Sequence, residues 1–339
     1  MTRPGSSFCT SPRLSGTILA LALALGASAC DKGSSASAAP EDGAAGQDAV
    51  PSAGGEAYRY ADDFTLTAET KLEVDLTTSE GSGAAELQAR SQIEAKPAGD
   101  KLEVHGKLIE LVDFTGSGNL DPEFMKKQAE EQGQTDFDFL AELRASEAWS
   151  IVDHKGETDD DATKGLPQNQ GSDDSGADFG LFELPDLPAV DLEVGKTVTL
   201  PTYEEPRQMP FGEIPMEIDE SWTLRGIDES GGKHIAEFDV TVEGSGATEL
   251  SGQGQTAMIS SLEESAFTIF FDIDAGLPVS ISGYSQSETT IDAGGQSFSF
   301  ATNSELETTY SVGAAAPAPA ETAPAEDAAG APAEDAPAE

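Results

Sequence analysis

The run Phe64-Thr-Leu-Thr-Ala-Glu-Thr-Lys-Leu-Glu-Val-Asp-Leu76 decides the fold class. Its even positions carry Phe64, Leu66, Ala68, Leu72, Val74 and Leu76, while Thr65, Thr67, Glu69, Lys71, Glu73 and Asp75 hold the odd ones. Successive side chains of a strand point to opposite faces, so this two-residue period predicts a long strand with one face buried and the other in water. After the turn Glu80-Gly81-Ser82-Gly83 the pattern returns, with Leu87, Ala89, Ile93 and Ala95 set against Glu86, Gln88, Arg90, Gln92 and Glu94. A turn at Pro97 to Asp100 leads into a third strand over 101–114, and three long strands on short turns read as an antiparallel meander.

The period changes over 121–145. Phe124, Met125, Gln128 and Ala129 suit one helix, Phe137, Leu140, Ala141 and Leu143 a second, with Gly133 as the break. Trp149 to Asp153 returns to strand, and an acidic, Gly-rich insert over 155–178 reads as a surface loop. The prolines between Leu184 and Pro215 predict an extended crossing segment rather than a central strand. A second meander begins near Glu217. Trp222 and Leu224 open it, Ala236, Phe238, Val240 and Val242 follow, and Phe267, Ile269, Phe271 and Ile273 mark its most apolar strand. Val279 and Ile281 come next, and Phe298, Phe300, Leu306 and Tyr310 form the apolar side of the last strand. The expectation is a mainly β fold of about ten strands: antiparallel meanders in a curved sheet or sandwich, with two short helices between the strand blocks. The domain would span 58–312, with sub-blocks 58–155 and 216–312 joined by the acidic loop and the Pro-rich crossing.

Both ends differ in kind. Residues 1–29 contain Arg3, Arg13 and the apolar run Ile18–Leu25, too short to span a bilayer, and read as a signal peptide. Residues 30–57 and the Ala/Pro/Glu tail 313–339 are too poor in apolar side chains to offset the entropy of ordering, and read as linker and spacer. The formal net charge of −45 repels nucleic acid and anionic lipid headgroups, which excludes a nucleic-acid partner. Cys9 and Cys30 are the only cysteines, and Cys9 lies in the signal segment, so no disulfide is expected in the domain.

The stretch Asp113 to Phe124 invites a calcium reading. Taken as a twelve-residue loop, Asp113, Thr115, Ser117, Asn119 and Asp121 offer oxygens and Gly118 stands at the sixth position. The bidentate glutamate of the twelfth position is missing; Phe124 stands there and Glu123 falls one residue early. A turn at Gly116 and Gly118, a helix cap at Asp121 and Pro122 in the first helical position account for the same residues, and this reading is preferred. The carboxylates of 157–161 and 173–178 read as solvated loops. His105, His154 and His234 stand apart without a zinc spacing, and no nucleophile elbow or phosphate loop occurs. An enzyme is not expected, and no cofactor is implied.

Gly26-Ala27-Ser28-Ala29-Cys30 resembles the lipobox of bacterial lipoproteins, with Ala27 where Leu is commonest in that family. The resemblance implies cleavage before Cys30, lipid on its thiol, and a domain anchored to a membrane of the cell envelope on the extracytoplasmic side. Leu184-Pro185-Asp186-Leu187-Pro188 with Val194-Gly195-Lys196-Thr197-Val198, and Phe271-Asp272-Ile273-Asp274-Ala275-Gly276-Leu277, resemble segments of a broad group of β-rich envelope lipoproteins. That implies shared architecture and no activity. At the level of fold the pattern is similar to the half-barrels of periplasmic lipoprotein carriers and mycobacterial lipid-binding lipoproteins, whose strands curl around helices. Two functions follow as expectations: a non-enzymatic binding or structural module with a protein partner, or a carrier holding a lipid or other apolar ligand against Phe267, Ile269, Phe271, Phe298 and Phe300. A low-affinity Ca²⁺-binding surface through Asp113–Glu123 is a weaker third.

Overall fold

The computed structural model describes residues 58–313 except 80, 132, 135–136, 168–180, 183, 210–211 and 253–254. The signal segment, Cys30, the linker to residue 57, the tail beyond 313 and the stretch 173–178 of the acidic insert lie outside the described residues.

The elements in chain order are β1 (Phe64–Thr78), β2 (Gly81–Ala98), β3 (Lys101–Gly118), α1 (Pro122–Glu131), α2 (Phe139–Arg144), β4 (Glu147–Val152) and α3 (Asp160–Lys164). After the crossing come β5 (Thr197–Thr199), β6 (Tyr203–Met209), β7 (Gly212–Asp228), β8 (Ile235–Gly252), β9 (Gln255–Asp272), β10 (Leu277–Ala293) and β11 (Gln296–Val312). The strands form one open antiparallel sheet in the order β4-β3-β2-β1-β11-β10-β9-β8-β7-β5, with β6 also paired to β7. The first and last long strands meet at its centre: Leu66 lies opposite Val312, and Leu72 opposite Leu306. Both meanders therefore belong to a single sheet.

The expected fold class is the one observed, and the local differences have simple causes. β5 and β6 arise within the Pro-rich crossing, and β6 tolerates Pro206 because its far side needs no ladder donor. The insert expected as loop contains α3, started by Asp159, whose carboxylate accepts from the Ala162 amide at 2.9 Å. Both expected helices are present. Asp121 Oδ1 accepts from the amides of Glu123 (2.8 Å) and Phe124 (3.3 Å) at the start of α1, and Asp138 Oδ1 accepts from Ala141 (3.0 Å) at the start of α2.

Eight strands run 15 to 18 residues, or about 50–60 Å at the usual rise. A sheet this long and wide covers its apolar face by curling. Flat, β4 and β8 would lie roughly 34 Å apart at strand spacing. Yet Lys155, just past β4, donates to the Tyr58 carbonyl, while the Tyr58 ring stands edge-on to Phe238 of β8 with centroids 4.8 Å apart. Tyr60 ties the same ends: its amide donates to His154 O (2.8 Å) and its ring meets Phe271 of β9. The concave face carries three apolar clusters. The largest surrounds Tyr58, Tyr60, Trp222, Phe238 and Phe271 and takes in Leu184, Leu187 and Leu192 of the crossing segment. A second lies beneath α1 and α2, with Leu72, Leu87, Met125, Phe139 and Leu143. The third is Ile214, Met216, Ile218 and Ile259 near the β6–β7 end. Each fully buried Leu, Ile or Phe contributes ~1.5–3 kcal/mol.

Candidate functional site

The oxygens of the calcium reading are not gathered by a loop. Residues 113–118 belong to β3, so Asp113, Thr115 and Ser117 alternate with Phe114 and Gly116 along an extended chain, and Phe114 packs on Phe139 of α2 at 5.3 Å between ring centroids. Ser117 Oγ donates to Ala84 O (3.3 Å), Asn119 stands in the turn, and Asp121 spends an oxygen on the α1 amides beside Glu123. Among the described residues no group of three or more His, Cys, Asp or Glu assembles to hold a metal ion.

The five apolar residues of the carrier reading share the concave face, because the register sets Ile269 opposite Ile281, and Phe300 opposite Thr289, which in turn lies opposite Ser261. They do not converge. Ile269 and Phe271 are buried in the largest cluster, and Phe267 packs at its margin. Phe300 joins the third cluster and Phe298, 42% exposed, lies further toward the open end. Phe271 and Phe300 stand about ten residues apart along the strands, roughly 33 Å. The void enclosed by Leu72, Leu87, Leu120, Met125 and Phe139 is about 10 Å³, no more than one water's room.

Between the apolar clusters the concave face is polar. Hydroxyl pairs bridge neighbouring strands at Thr70–Thr308 (3.0 Å), Ser261–Thr289 (3.0 Å) and Ser265–Ser285 (2.9 Å). On the same face Arg207 of β6 reaches Glu263 of β9 at 2.6 Å, across β7 and β8. Three strand spacings, ~14 Å, are closed here by curvature. The curl needs Gly244 and Gly246 of β8: a Cβ on Gly244 would stand 2.9 Å from Ile218 Cδ1, and one on Gly246 would strike the Pro215 carbonyl. Burial pushes the Glu263 carboxyl up, against the pull of Arg207. On β7, buried Glu220 accepts from the Trp222 indole and lies 3.4 Å from the Tyr203 hydroxyl.

The histidines remain separate. His105 stacks on Trp149 with centroids 3.6 Å apart, His154 Nδ1 donates to Tyr60 O (3.1 Å), and His234 pairs with Asp274 at 2.9 Å, a hydrogen bond that raises its pKa. The Asp272–Gly276 turn is built around one close approach. Asp272 Oδ1 accepts from Ala275 N (3.0 Å), and Gly276, at φ +65°, lets its carbonyl take the Ala61 amide at 3.0 Å.

Sequence reasoning missed a feature on the opposite, convex face. An open trough of about 520 Å³ crosses β6 to β9, floored by Ser245, Ala247 and Ser260, walled by Glu204, Glu217 and Pro215, and edged by Leu262. Leu262 is 58% exposed and Met258, four residues earlier on the same side of β9, 47%. The signal was present: both are apolar at even positions, out of phase with the odd-numbered Ile259, Phe267, Ile269 and Phe271. Among the described residues no helix is long and apolar enough to cross a membrane, which does not bear on strands. No protein family and no curated protein matches the chain in sequence.

Proposed function

We propose that the protein is a membrane-anchored lipoprotein of the bacterial cell envelope, held by lipid on Cys30, whose β-domain acts as a non-enzymatic binding module on the extracytoplasmic side. The observation that carries the binding reading is the way the concavity is occupied. Tyr58, Tyr60, the crossing segment and the two capping helices take up much of the apolar side, and a broad trough stands open on the other. The lipobox-like Gly26–Cys30 and the low-complexity linker after it support the anchor.

A second reading, a carrier for a lipid or other apolar ligand, is favoured by one observation: Phe298 is exposed on the concave face at its uncovered end. Two measurements on the full chain decide. Mass spectrometry of protein expressed in a bacterium is expected to find a membrane-bound chain beginning at Cys30 with added acyl mass; an unmodified, soluble form overturns the anchor. Native mass spectrometry of the Cys30→Ser chain, purified without detergent, is expected to give the bare polypeptide mass. A discrete extra mass released by organic solvent would replace the module with the carrier.

A further inference from the structure

We propose that the convex face of β7 to β9 around Leu262 is a docking surface for an extended cationic segment of another polypeptide; this names the partner chemistry of the binding module above and rests on that reading.

The surface has a shape. Leu262 and Met258 project from a strand inside the sheet, about 13 Å apart at strand rise, a spacing that matches side chains four residues apart on an extended partner. Beside Leu262 the register places Ser245, and beside Ser260 it places Ala247, so the β8 side chains on the trough floor are short, while Glu249 stands beside Met258. Two large apolar side chains left in water beside an open trough offer the anchor that interfaces bury at their centre.

Around Leu262 the surface also has one sign of charge; Arg225, the cation of β7, lies eight residues along the strand from Glu217 and is paired with Asp239. No Lys or Arg follows Lys233 in the sequence, so β8 to β11 are four adjacent strands without a cation. Arg207, on neighbouring β6, is turned to the concave face and bonded to Glu263. On the convex face Glu204 lies directly opposite Glu217, and Glu243 sits between Asp219 and Glu264. Like charges in register repel, and a cationic partner relieves that repulsion as it docks. The other candidate occupants carry the wrong sign: a second copy presents the same carboxylates, the tail beyond residue 313 carries acids and no base, and anionic lipid is repelled.

The test is fluorescence anisotropy with a labelled ten-residue peptide alternating lysine and leucine, titrated with the full chain carrying Cys30→Ser at physiological salt. Three paired variants are compared: Leu262→Ser/Met258→Ser in the anchor, Glu204→Gln/Glu217→Gln in the wall, and Glu73→Gln/Glu305→Gln, a like-charge pair elsewhere on the convex face. The anchor pair is expected to weaken binding about tenfold. The wall pair should weaken it and flatten its salt dependence, while the distant pair leaves it unchanged. Equal losses from the wall and distant pairs would reduce the effect to diffuse charge and overturn the site. Unchanged binding in the anchor pair, or none in any chain, would overturn it as well. So would concentration-dependent dimerisation without peptide that the anchor pair abolishes, since a second copy would then be the occupant. Acylation of Cys30 is read separately, so failure here is distinct from failure of the anchored-module reading.

Discussion

Tyr58 is fully buried with its ring against Phe238, and its hydroxyl finds no hydrogen-bond partner among the described residues. Burial first, and then the nearby Asp191, push its pKa up to about 12, so the phenol stays protonated and the cost is that of a buried, unsatisfied O–H. Tyr58→Phe keeps the ring and removes the liability; it should raise stability by ~1 kcal/mol in urea unfolding, and a loss would mean the hydroxyl has a structural role. Arg207 poses the opposite case. With Glu263 only 7% exposed, Arg207→Ala leaves a buried carboxylate facing none of its former positive charge, and should cost about 3 kcal/mol at pH 7. The sign with pH follows from the raised pKa. The native state keeps a proton on Glu263 where the unfolded chain has lost it, so this group's contribution falls as pH rises through the raised value and recovers as pH drops. The variant's deficit should therefore be smaller at a pH lowered toward the ordinary carboxylate range than at pH 7, because a protonated Glu263 no longer needs its partner. A deficit of equal size at both pH values would remove the ion pair as its cause.

At the scale of elements, the strands were legible wherever alternation ran long. β1 reads directly from Phe64 to Leu76, and α1 from Asp121 and Pro122, because the pattern and the cap are local chemistry. β5 and β6 were not, since three or seven residues broken by Pro206 carry too little period to stand out from a crossing segment. The glycines of β8 were equally silent. Within a strand they read only as weak points, whereas the structure uses them to bring β6 over β9. Gly246→Ala tests that use. The added methyl meets the Pro215 carbonyl, and Met216 Sδ stands 2.7 Å away, so the substitution should cost ~1–3 kcal/mol by overpacking. At Gly226 an added Cβ would meet nothing within 4 Å, which makes it the control: Gly226→Ala should be neutral or slightly stabilising. Equal effects at the two positions in a urea melt would mean that curvature at β8 does not depend on the missing side chain.

Across the whole molecule the decisive contact is the one no local pattern carries, the pairing of β1 with β11. Nothing in either strand names the other. Both are alternating, half-buried strands, and each would have fitted the edge of a separate sandwich as well as the centre of one sheet. The candidate site divides in the same way: alternation alone puts the apolar row on one face, but its spread along the strands follows from register, which the sequence leaves open. That single sheet concentrates charge. A net charge of −45 on one domain with its flanking segments, and four neighbouring strands without a base, make self-repulsion a term in stability. Lengthening the Debye screen is therefore expected to destabilise the fold: between 0.15 M and 0.01 M salt the length grows from about 8 to about 30 Å, enough to couple carboxylates across several strands. The melting temperature should fall by several degrees on that change, with ~2–4 °C corresponding to 1 kcal/mol at this size. The wall variant Glu204→Gln/Glu217→Gln should flatten the slope, because it removes two charges held in register. A melting temperature indifferent to salt in scanning calorimetry would mean that neighbouring hydroxyls and water already screen the face, leaving a cationic partner no repulsion to relieve.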